Sequence, residues 1–529
     1  MLLAGPASAQ TVRICQVQGS GSTPPIQGRV SVTGVVTADF TATSVKGFFL
    51  QEPSCDSDTT TSDGIFVDTS SRGVSVTVGN RVTVTGRVTN DSGLTAIVLE
   101  NLSDSGAYGG AVQAIRLSPP ADPTAAAVYL ESVEGMLVSL PPSRVIAATN
   151  HYGDVFVMPD TSGVTRLFRG EADGRKLGVG CPGCWLPVNQ GDRLPDVSGV
   201  LSYQYGEFTV LLRPSRTPTV EAAALSPTTP QPVASTLTIA TYNLENFFDP
   251  VDDPLKEDDV PSAAQYAAGL AARAVSIARY LGSPDILGVQ EAENLQVLED
   301  LVAYPELLPA GYRPLLIEGP DSHGIDVGLL YRADRLGLRS SEARQGCTTI
   351  TPLSGATPCP LAGGQGYALF ARPPLVVKLE SLVSGERLTV VVNHFRAQED
   401  GTVDDQLRLA SAAHVKALVD ELKTTEPEAA VVVLGDLNDF EDSATLAQLK
   451  AGGLGDLHGR NGERPYTYVY RGLAQVIDFA LVDPALVPRV VDFRPVHINV
   501  DFGAPAPGTA GTGLHASDHD PVLLTIRQR

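Results

Sequence analysis

The sequence has few of the residues and motifs on which several common kinds of protein depend. Only 8 histidines and 6 cysteines are spread over 529 residues, which is too few histidines and no suitable set of thiolates for a typical zinc site. No stretch after the N-terminus holds the roughly 18 consecutive apolar residues that a membrane-spanning helix needs. There is also no glycine-rich phosphate loop and no Gly-x-Ser-x-Gly nucleophile turn. These absences argue against a helical membrane protein, a P-loop enzyme and a serine hydrolase.

Positive charge is scarce as well. The chain has 38 Lys and Arg against 60 Asp and Glu, and its formal net charge is -22. Such a protein is not expected to hold nucleic acid on a broad basic surface. Either its substrate is not a polyanion, or bound cations and a few local arginines supply the positive field. Nothing in the pattern indicates an obligate protein partner.

What the chain does contain is apolar residues, 43% of the total, together with 51 glycines and 39 prolines. A chain of this length should hold about two to four domains. Residues 1–9 resemble the end of a secretory signal, with Ala7-Ser-Ala9 as a small-residue cleavage site. We therefore expect a soluble protein that is secreted to the extracellular space or the periplasm.

The even number of cysteines in a chain of this type suggests disulfides. Six cysteines permit 15 pairings. The order along the sequence suggests the pairs 15–55, 181–184 and 347–359. The Cys181-Pro-Gly-Cys184 segment also has the spacing of half a zinc knuckle or of a redox pair, although no second ligand pair lies near it.

The sequence predicts two all-β domains, which comprise residues 10–118 and 124–213. Short stretches rich in β-branched residues, such as Arg29–Val36 and Asn80–Val88, alternate with Gly, Ser, Thr and Asp turns. The second domain partly repeats the first, which suggests a duplicated β-unit. Both resemble the OB-like modules that precede some extracellular nucleases, which implies either single-strand binding or a structural spacer. Residues 214–235 form a Pro-rich linker.

Residues 236–529 alternate strands with helices, the pattern of sheets covered by helices. The most informative stretch is Val431–Asn438, in which four apolar residues are followed by Gly435, Asp436 and Asn438. A buried strand that ends on a glycine and then presents a carboxylate and an amide is a common way to build a site. Asp436 and Asn438 are two residues apart, so in an extended segment they face the same way.

Polar residues recur at the ends of the other predicted strands of this domain. They are Asn243, Glu291, His394, Asp478, Asp518 and His519. Carboxylates such as Glu291 and Asp518 suit Mg²⁺, and also Mn²⁺ or Ca²⁺. Asp478 could orient His519, as a carboxylate does for a catalytic imidazole. Metal-assisted hydrolysis of a phosphate ester is the simplest chemistry for this set.

The same residues lie in six short motifs that resemble, in order, those of the endonuclease/exonuclease/phosphatase superfamily, and within it secreted relatives of deoxyribonuclease I. The motifs are Tyr242-Asn-Leu-Glu-Asn246, Gly288-Val-Gln-Glu291, Val392-Asn-His-Phe395, Gly435-Asp-Leu-Asn438, Ile477-Asp-Phe479 and Ser517-Asp-His-Asp-Pro521. The resemblance implies a four-layer αββα sandwich. It also implies a nuclease that acts on DNA, and perhaps on RNA.

The resemblance further assigns a role to each residue. Glu291 would bind the metal with Asp518 close by, and Asn243 would complete the metal and phosphate shell. Asp436 and Asn438 would position the attacking water and the scissile phosphate. His519, paired with Asp478, would act as general base or stabilise the transition state. His394 would protonate or steady the leaving oxygen.

Three further assignments are open. Asp326 is the nearest candidate for the acidic partner of His394, and Arg396 could contact the substrate phosphate. An acidic loop after Asn246 could bind a structural Ca²⁺ or be a solvated loop; its residues are Asp252, Asp253, Glu257, Asp258 and Asp259.

Two rival functions also remain. In one, the same fold hydrolyses phospholipid head groups or small phosphoesters, which the net acidity favours. In the other, the protein is a non-catalytic binding protein, and the β-domains carry its function.

Overall fold

The computed structural model describes residues 9–214, 217–227, 229–230, 233–398, 401–509 and 511–529. Residues 7 and 8 of the predicted cleavage site lie outside this part of the chain, as do residues 215, 216, 228, 231 and 232 of the predicted linker. The chain forms two compact units. The N-terminal unit contains the residues up to Leu225 and Arg471–Leu473, and the C-terminal unit contains Ser226–Tyr470 and Ala474–Arg529. Among the described residues, no helix is both long enough and apolar enough to cross a membrane.

The first sheet of the N-terminal unit is built mainly from long alternating strands. Its elements are β1 (Gln10–Thr11), α1 (Ile14–Gln18), β2 (Gly28–Asp39), β3 (Gly47–Gln51), β4 (Gly64–Asp68), β5 (Asn80–Asp91) and β6 (Leu94–Ala107). The strands pair in the order β1-β2-β3-β4-β6-β5, and β5 also pairs with β2, so five strands close on themselves. Val30 and Val32 point into the enclosed core while Ser31 and Thr33 lie on the outer face.

The second sheet of this unit repeats the same order of pairing. This part of the chain contains β7 (Ile115–Arg116), α2 (Pro123–Glu131), β8 (Leu137–Leu140), β9 (Ser143–Ala147), β10 (Val155–Pro159), β11 (Leu167–Phe168), β12 (Leu177–Gly180), β13 (Arg193–Leu194), β14 (Val197–Gln204) and β15 (Glu207–Leu212). All of these strands except β11 belong to the second sheet. Strands β9-β10-β12-β15-β14 follow one another as β2-β3-β4-β6-β5 do. Each sheet has a parallel pair of strands at the same place in this order. It is β4–β6 in the first sheet and β12–β15 in the second. The sheets therefore share a topology, while their OB-like character stays a prediction.

The two sheets of the N-terminal unit contact each other across a small apolar cluster. Phe49 and Phe66 of the first sheet pack with Val200 and Leu211 of the second. The chain also approaches itself closely at Gly64, where a Cβ atom would lie 2.3 Å from the backbone of Gly135. Only glycine fits at this point, because any side chain would push the two segments apart.

The C-terminal unit alternates strands with helices, as the sequence predicts. Its elements are β16 (Thr236–Phe247), α3 (Ala263–Val275), β17 (Ile286–Ala292), α4 (Leu295–Ala303), β18 (Tyr312–Leu316), β19 (Asp326–Arg332), β20 (Leu336–Ala343), β21 (Cys347–Thr348), β22 (Tyr367–Ala368), β23 (Leu375–Ser381), β24 (Arg387–His394), α5 (Thr402–Thr425), β25 (Ala430–Asp436), α6 (Ala444–Lys450), β26 (Tyr468–Tyr470), β27 (Leu473–Gln475), β28 (Asp478–Val482), β29 (Val490–Pro495) and β30 (Val522–Arg527). Helix α3 continues as a π-helical turn, Ser276–Tyr280.

Two large sheets form the centre of this unit. The third sheet has the order β18-β19-β17-β16-β30-β29, and the fourth has the order β20-β23-β24-β25-β28. Their inner faces share one apolar core, to which Ile239, Leu329, Val390 and Leu434 belong. Helices α3 and α4 cover the outer face of the third sheet, and α5 and α6 cover that of the fourth. The layers therefore follow one another as helices, sheet, sheet and helices.

The six cysteines form three disulfides, Cys15–Cys55, Cys181–Cys184 and Cys347–Cys359. This pairing is the one suggested by the order of the cysteines along the sequence. Since Cys181 and Cys184 are joined to each other, the zinc-knuckle interpretation of that segment is wrong.

Candidate active site

Two parallel strand pairs bring polar side chains to one edge of the C-terminal unit. In the third sheet, β16 and β17 run parallel, and Asn243 stands opposite Gln290, the residue before Glu291. In the fourth sheet, β24 and β25 run parallel, with His394 opposite Asp436. Because parallel strands end at the same edge of a sheet, each pair collects its polar residues in one place.

The next strand of the fourth sheet adds a further carboxylate to the same edge. Strand β28 is antiparallel to β25 and begins there, so that Asp478 stands opposite Asp436. The loop before β30 supplies Asp518 and His519. Seven of the predicted site residues are thus brought together by strand direction and by one loop.

Asn243 joins the two sheets. Its side-chain amide donates to Glu291 Oε1 at 2.9 Å and to Asp436 Oδ2 at 3.1 Å. Its own Oδ1 accepts a hydrogen bond from the backbone N–H of Glu245 at 2.9 Å. Glu291 also accepts from the backbone N–H of Asn246, at 2.7 Å. These contacts fix two carboxylates from different sheets against one buried amide.

Asp478 and His519 form a buried pair. His519 Nδ1 lies 2.9 Å from Asp478 Oδ2, which leaves Nε2 facing the other carboxylates, 3.9 Å from both Asp436 and Asp518. Burial lowers the pKa of His519, but Asp478, Asp518 and Asp436 outweigh burial and raise the pKa well above its ordinary value. The charged imidazolium is therefore the favoured form beside these carboxylates.

His394 lies on the other side of Asp436. Its Nε2 is 3.7 Å from Asp436 Oδ2 and 3.8 Å from Glu291 Oε1. Burial, with smaller contributions from Arg372 and His519, holds the pKa of His394 well below its ordinary value. In contrast to His519, the neutral form of this imidazole is therefore favoured.

The predicted partner of His394 does not contact it. His394 Nδ1 is buried without a hydrogen-bond partner in the described part of the chain. Asp326 instead accepts a hydrogen bond from the backbone N–H of Gly319 at 2.8 Å. The pairing of Asp326 with His394 is therefore wrong, because β19 places Asp326 opposite Ala292 and its carboxylate is held by another loop.

The residues at this edge fit a divalent cation. Ligand atoms of Glu291, His394 and Asp436 all lie within 4.8 Å of one another, and so do those of Asp436, Asp478 and His519. Burial raises the pKa of Asp436 to about 7; His519 opposes this rise, and the neighbouring carboxylates add to it. A cation would relieve this repulsion, and carboxylate and amide oxygens are the ligands that Mg²⁺, Mn²⁺ and Ca²⁺ prefer.

Two of the remaining predicted residues lie close to this group. Asn438 has a positive φ of 48°, and its side-chain amide donates to the backbone carbonyl of Phe395 at 3.1 Å. Arg396 forms an ion pair with the buried carboxylate of Asp404 at 2.6 Å and also contacts Ser354. The guanidinium of Arg396 is thus already engaged, and its contact with a substrate phosphate stays a prediction.

Several supporting residues were not singled out from the sequence. Ser517 Oγ donates to the carbonyl of Asn243 at 2.7 Å and accepts from the N–H of His519 at 3.1 Å. Thr467 Oγ1 accepts from the N–H of Asp478 at 3.2 Å, and the ring of Tyr468 lies 4.7 Å from that of His519. Ser517 belongs to a quoted motif, whereas Thr467 and Tyr468 follow a stretch without periodicity and carry no sequence signal.

The predicted acidic loop lies beside the group rather than within it. Asp252 and Asp253 line a cavity of about 280 Å³ together with Glu293 and Asp326. Burial, with nearby carboxylates, raises the pKa of Glu293 to about 7 and that of Asp326 to about 8. The Ca²⁺ site predicted for this loop stays a prediction.

Comparison with known proteins agrees with the motifs. Residues 238–466 match the profile of the Endonuclease/Exonuclease/phosphatase family. Residues 98–222 match a Domain of unknown function (DUF8508). No curated protein matches the chain.

Solved structures with a similar fold are distant in sequence. An endonuclease/exonuclease/phosphatase from Bacteroides vulgatus is 18% identical at a TM-score of 0.39, over 56% of this chain and 99% of that one. A humanized D. rerio TDP2 is 16% identical at a TM-score of 0.37, over 56% and 100% of the two chains. A mannosyl-6-phosphatase from Bacteroides thetaiotaomicron is 18% identical at 0.37, over 54% and 98%. Identities this low transfer no activity from any one of these proteins.

Proposed function

Since the C-terminal unit carries a domain of the endonuclease/exonuclease/phosphatase superfamily, we propose that the protein is a divalent-metal-dependent nuclease. Its substrate is DNA, with RNA as a second candidate. The observation that carries the proposal is the bridge formed by Asn243, whose amide contacts Glu291 and Asp436 from two different sheets. A buried amide between two carboxylates, with an imidazole on either side, is suited to hold a cation and a phosphate together.

In the proposed mechanism, Glu291 and Asp518 would hold a divalent cation, and Asn243 fixes the Glu291 carboxylate in place. When bound, the cation would supply charge neutralisation at the phosphate and favour attack by water. Asp436 orients the attacking water, and Asn438 orients the scissile phosphate.

The two imidazoles have different roles because their pKa values are shifted in opposite directions from the ordinary value of histidine. His519, held by Asp478, favours the charged form and donates a hydrogen bond to a phosphoryl oxygen as negative charge develops there. The general-base role that the resemblance also allows stays open. Burial favours the neutral form of His394, because it lowers the pKa of that imidazole, so His394 steadies the leaving oxygen by hydrogen bonding.

A plasmid-nicking assay tests the proposal. Wild-type protein should convert supercoiled DNA to open and linear forms with at least one of Mg²⁺, Mn²⁺ and Ca²⁺. Asp436→Ala should lower the rate by about 100-fold or more, as expected for a group that positions the reacting water. Asp334→Ala is the matched control, because Asp334 is 59% exposed in a turn and pairs with Arg332 at the surface. Intact plasmid with all three metals would contradict the proposal.

The second candidate function is hydrolysis of phospholipid head groups or small phosphoesters. The net charge of -22 and the acidic cavity around Asp252 and Glu293 favour it, because both oppose the approach of a polyanion. Release of phosphate or of a phosphorylated head group without any plasmid cleavage would select this alternative.

We also propose that the protein works outside the cytoplasm, because its three disulfides suit an oxidising compartment. The two sheets of the N-terminal unit are proposed to be OB-like, with single-strand binding and a spacer role both open. Binding of fluorescent single-stranded DNA by the full chain, with and without metal, separates these two roles.

A further inference from the structure

The segment that follows Asn243 has an unusual backbone. The β16–β17 register breaks between Asn243 and Phe247, so residues 244–246 bulge out of the ladder. Glu245 and Asn246 both adopt positive φ angles, 55° and 42°. Two consecutive non-glycine residues in this region are strained. Such a segment persists only where the surrounding structure holds it.

The bulge aims two backbone N–H groups at the candidate active site. The N–H of Glu245 donates to Asn243 Oδ1 at 2.9 Å, and the N–H of Asn246 donates to Glu291 Oε2 at 2.7 Å. Glu291 itself has a positive φ of 61°. The orientation of the carboxylate proposed to hold the cation therefore depends on the shape of residues 244–246.

One side chain holds the other side of this bulge. Arg273, on helix α3, donates from Nε to the carbonyl of Leu244 at 2.8 Å and from Nη2 to the carbonyl of Glu245 at 2.9 Å. Its Nη2 also contacts the carbonyl of Leu244, and its guanidinium lies 4.5 Å from the ring centre of Phe247. In the described part of the chain no carboxylate forms an ion pair with it. The planar fork of arginine reaches both carbonyls at once, which a lysine cannot do.

We propose that Arg273 is a positioning residue for the cation site. It acts through the backbone, because it fixes the carbonyls of residues 244 and 245 so that the N–H groups on the opposite side of the bulge hold Asn243 and Glu291. This inference rests on the proposed function only in so far as Glu291 binds a cation. The positive charge of Arg273 also lies near Glu245, Glu291 and Asp518. Burial lowers the pKa of Arg273, and the attraction of these carboxylates opposes that effect.

The test measures Mn²⁺ binding to the full-length protein by isothermal titration calorimetry, with no substrate present. Arg273→Met keeps the length and packing of the side chain but removes the donors. It should weaken Mn²⁺ binding by about 10- to 100-fold, the usual effect of losing a group that orients a metal ligand. Arg273→Lys keeps the charge and a single donor nitrogen in place of the guanidinium fork, and it should recover part of the affinity. Arg279→Met is the matched control, because Arg279 is 66% exposed and lies 3.9 Å from Glu306.

The outcomes separate the possible roles. If Arg273→Met binds Mn²⁺ as wild type does below its unfolding temperature, and only the melting temperature falls, Arg273 is merely structural and the inference is wrong. If Arg273→Met does not fold, the Arg273→Lys variant decides the question. The inference is wrong if that variant binds Mn²⁺ with the affinity of wild type. If wild type binds Mn²⁺, Arg273→Met loses it and neither protein cleaves DNA, the positioning role stands and the proposed nuclease function fails. Absence of Mn²⁺ binding by wild type overturns the positioning role, whereas the plasmid assay with all three metals decides the nuclease function.

Discussion

The junction between the two sheets of the N-terminal unit should make its stability depend on pH. Glu134 lies there and is only 1% exposed. Its Oε1 accepts a hydrogen bond from the N–H of Thr95, in β6, at 3.1 Å. Burial, with a smaller contribution from Glu131, raises the pKa of Glu134 to about 8, from an ordinary value of 4.5. The folded protein therefore keeps this carboxyl protonated at neutral pH, whereas the unfolded chain ionises it.

The sign and size of the effect follow from linkage. A group whose pKa is raised on folding contributes stability that is fully present below its unfolded pKa and is lost as pH rises through its folded pKa. The free energy of unfolding should therefore fall by about 1.4 kcal/mol per pH unit between pH 4.5 and 8. Over the whole window the loss approaches about 5 kcal/mol as an upper limit. In a unit of this size that corresponds to about 10–20 °C in melting temperature.

Scanning calorimetry of wild type and Glu134→Gln from pH 4.5 to 8.5 measures this effect. The amide keeps the shape and one acceptor but does not ionise. The two proteins should melt at similar temperatures at pH 4.5, and the variant should be the more stable one at pH 8.5. Other carboxyls with raised pKa values, such as Glu293, contribute equally to both proteins and cancel in the difference. A difference in melting temperature that stays constant across the pH range would refute the reasoning.

Three further predictions concern the C-terminal unit. Asp478→Asn removes the charged carboxylate that holds His519 at 2.9 Å. It should lower kcat by about 10²–10⁴-fold while the circular dichroism spectrum stays unchanged. A wild-type kcat would contradict the proposed role of the pair. Ser517→Ala leaves the His519 N–H without its acceptor and should cost about 1–3 kcal/mol in urea unfolding, whereas an unchanged midpoint would mean that water replaces the hydroxyl. Leu329→Ala empties part of the core between the two large sheets and should cost about 2–5 kcal/mol, with kcat unaffected at temperatures where the variant is folded.

Much of the C-terminal fold could be predicted from apolar runs. Strands β24 and β25 are buried over most of their length, so their sequences are nearly continuous stretches of Val and Leu. Helix α5 buries apolar residues at helical spacing, among them Leu407, Val415 and Leu422. Strand β20 lies at the edge of its sheet and is mostly exposed, so its sequence shows no periodic pattern. The nine residues of helix α4, Leu295–Ala303, are fewer than the window in which helical periodicity is clear.

The candidate site could be predicted from its motifs, but its supporting contacts could not. The quoted motifs include Asn243, Glu291, Asp436 and His519, and the structure brings all four together. The contacts of Asp326 depend on the register of its strand and on which loop reaches its carboxylate. Neither of these can be predicted from the sequence. Arg273 gives no signal either, since an arginine on an amphipathic helix usually faces solvent.

The central claim is that Glu291 and Asp436, from two different sheets, hold one cation against the substrate phosphate. Anomalous diffraction from crystals soaked in Mn²⁺ tests it most directly. The account predicts a peak within about 2.6 Å of a Glu291 carboxylate oxygen, on the side that faces Asp436. A peak confined to the acidic cavity around Asp252 and Asp253, with none at Glu291, would contradict it.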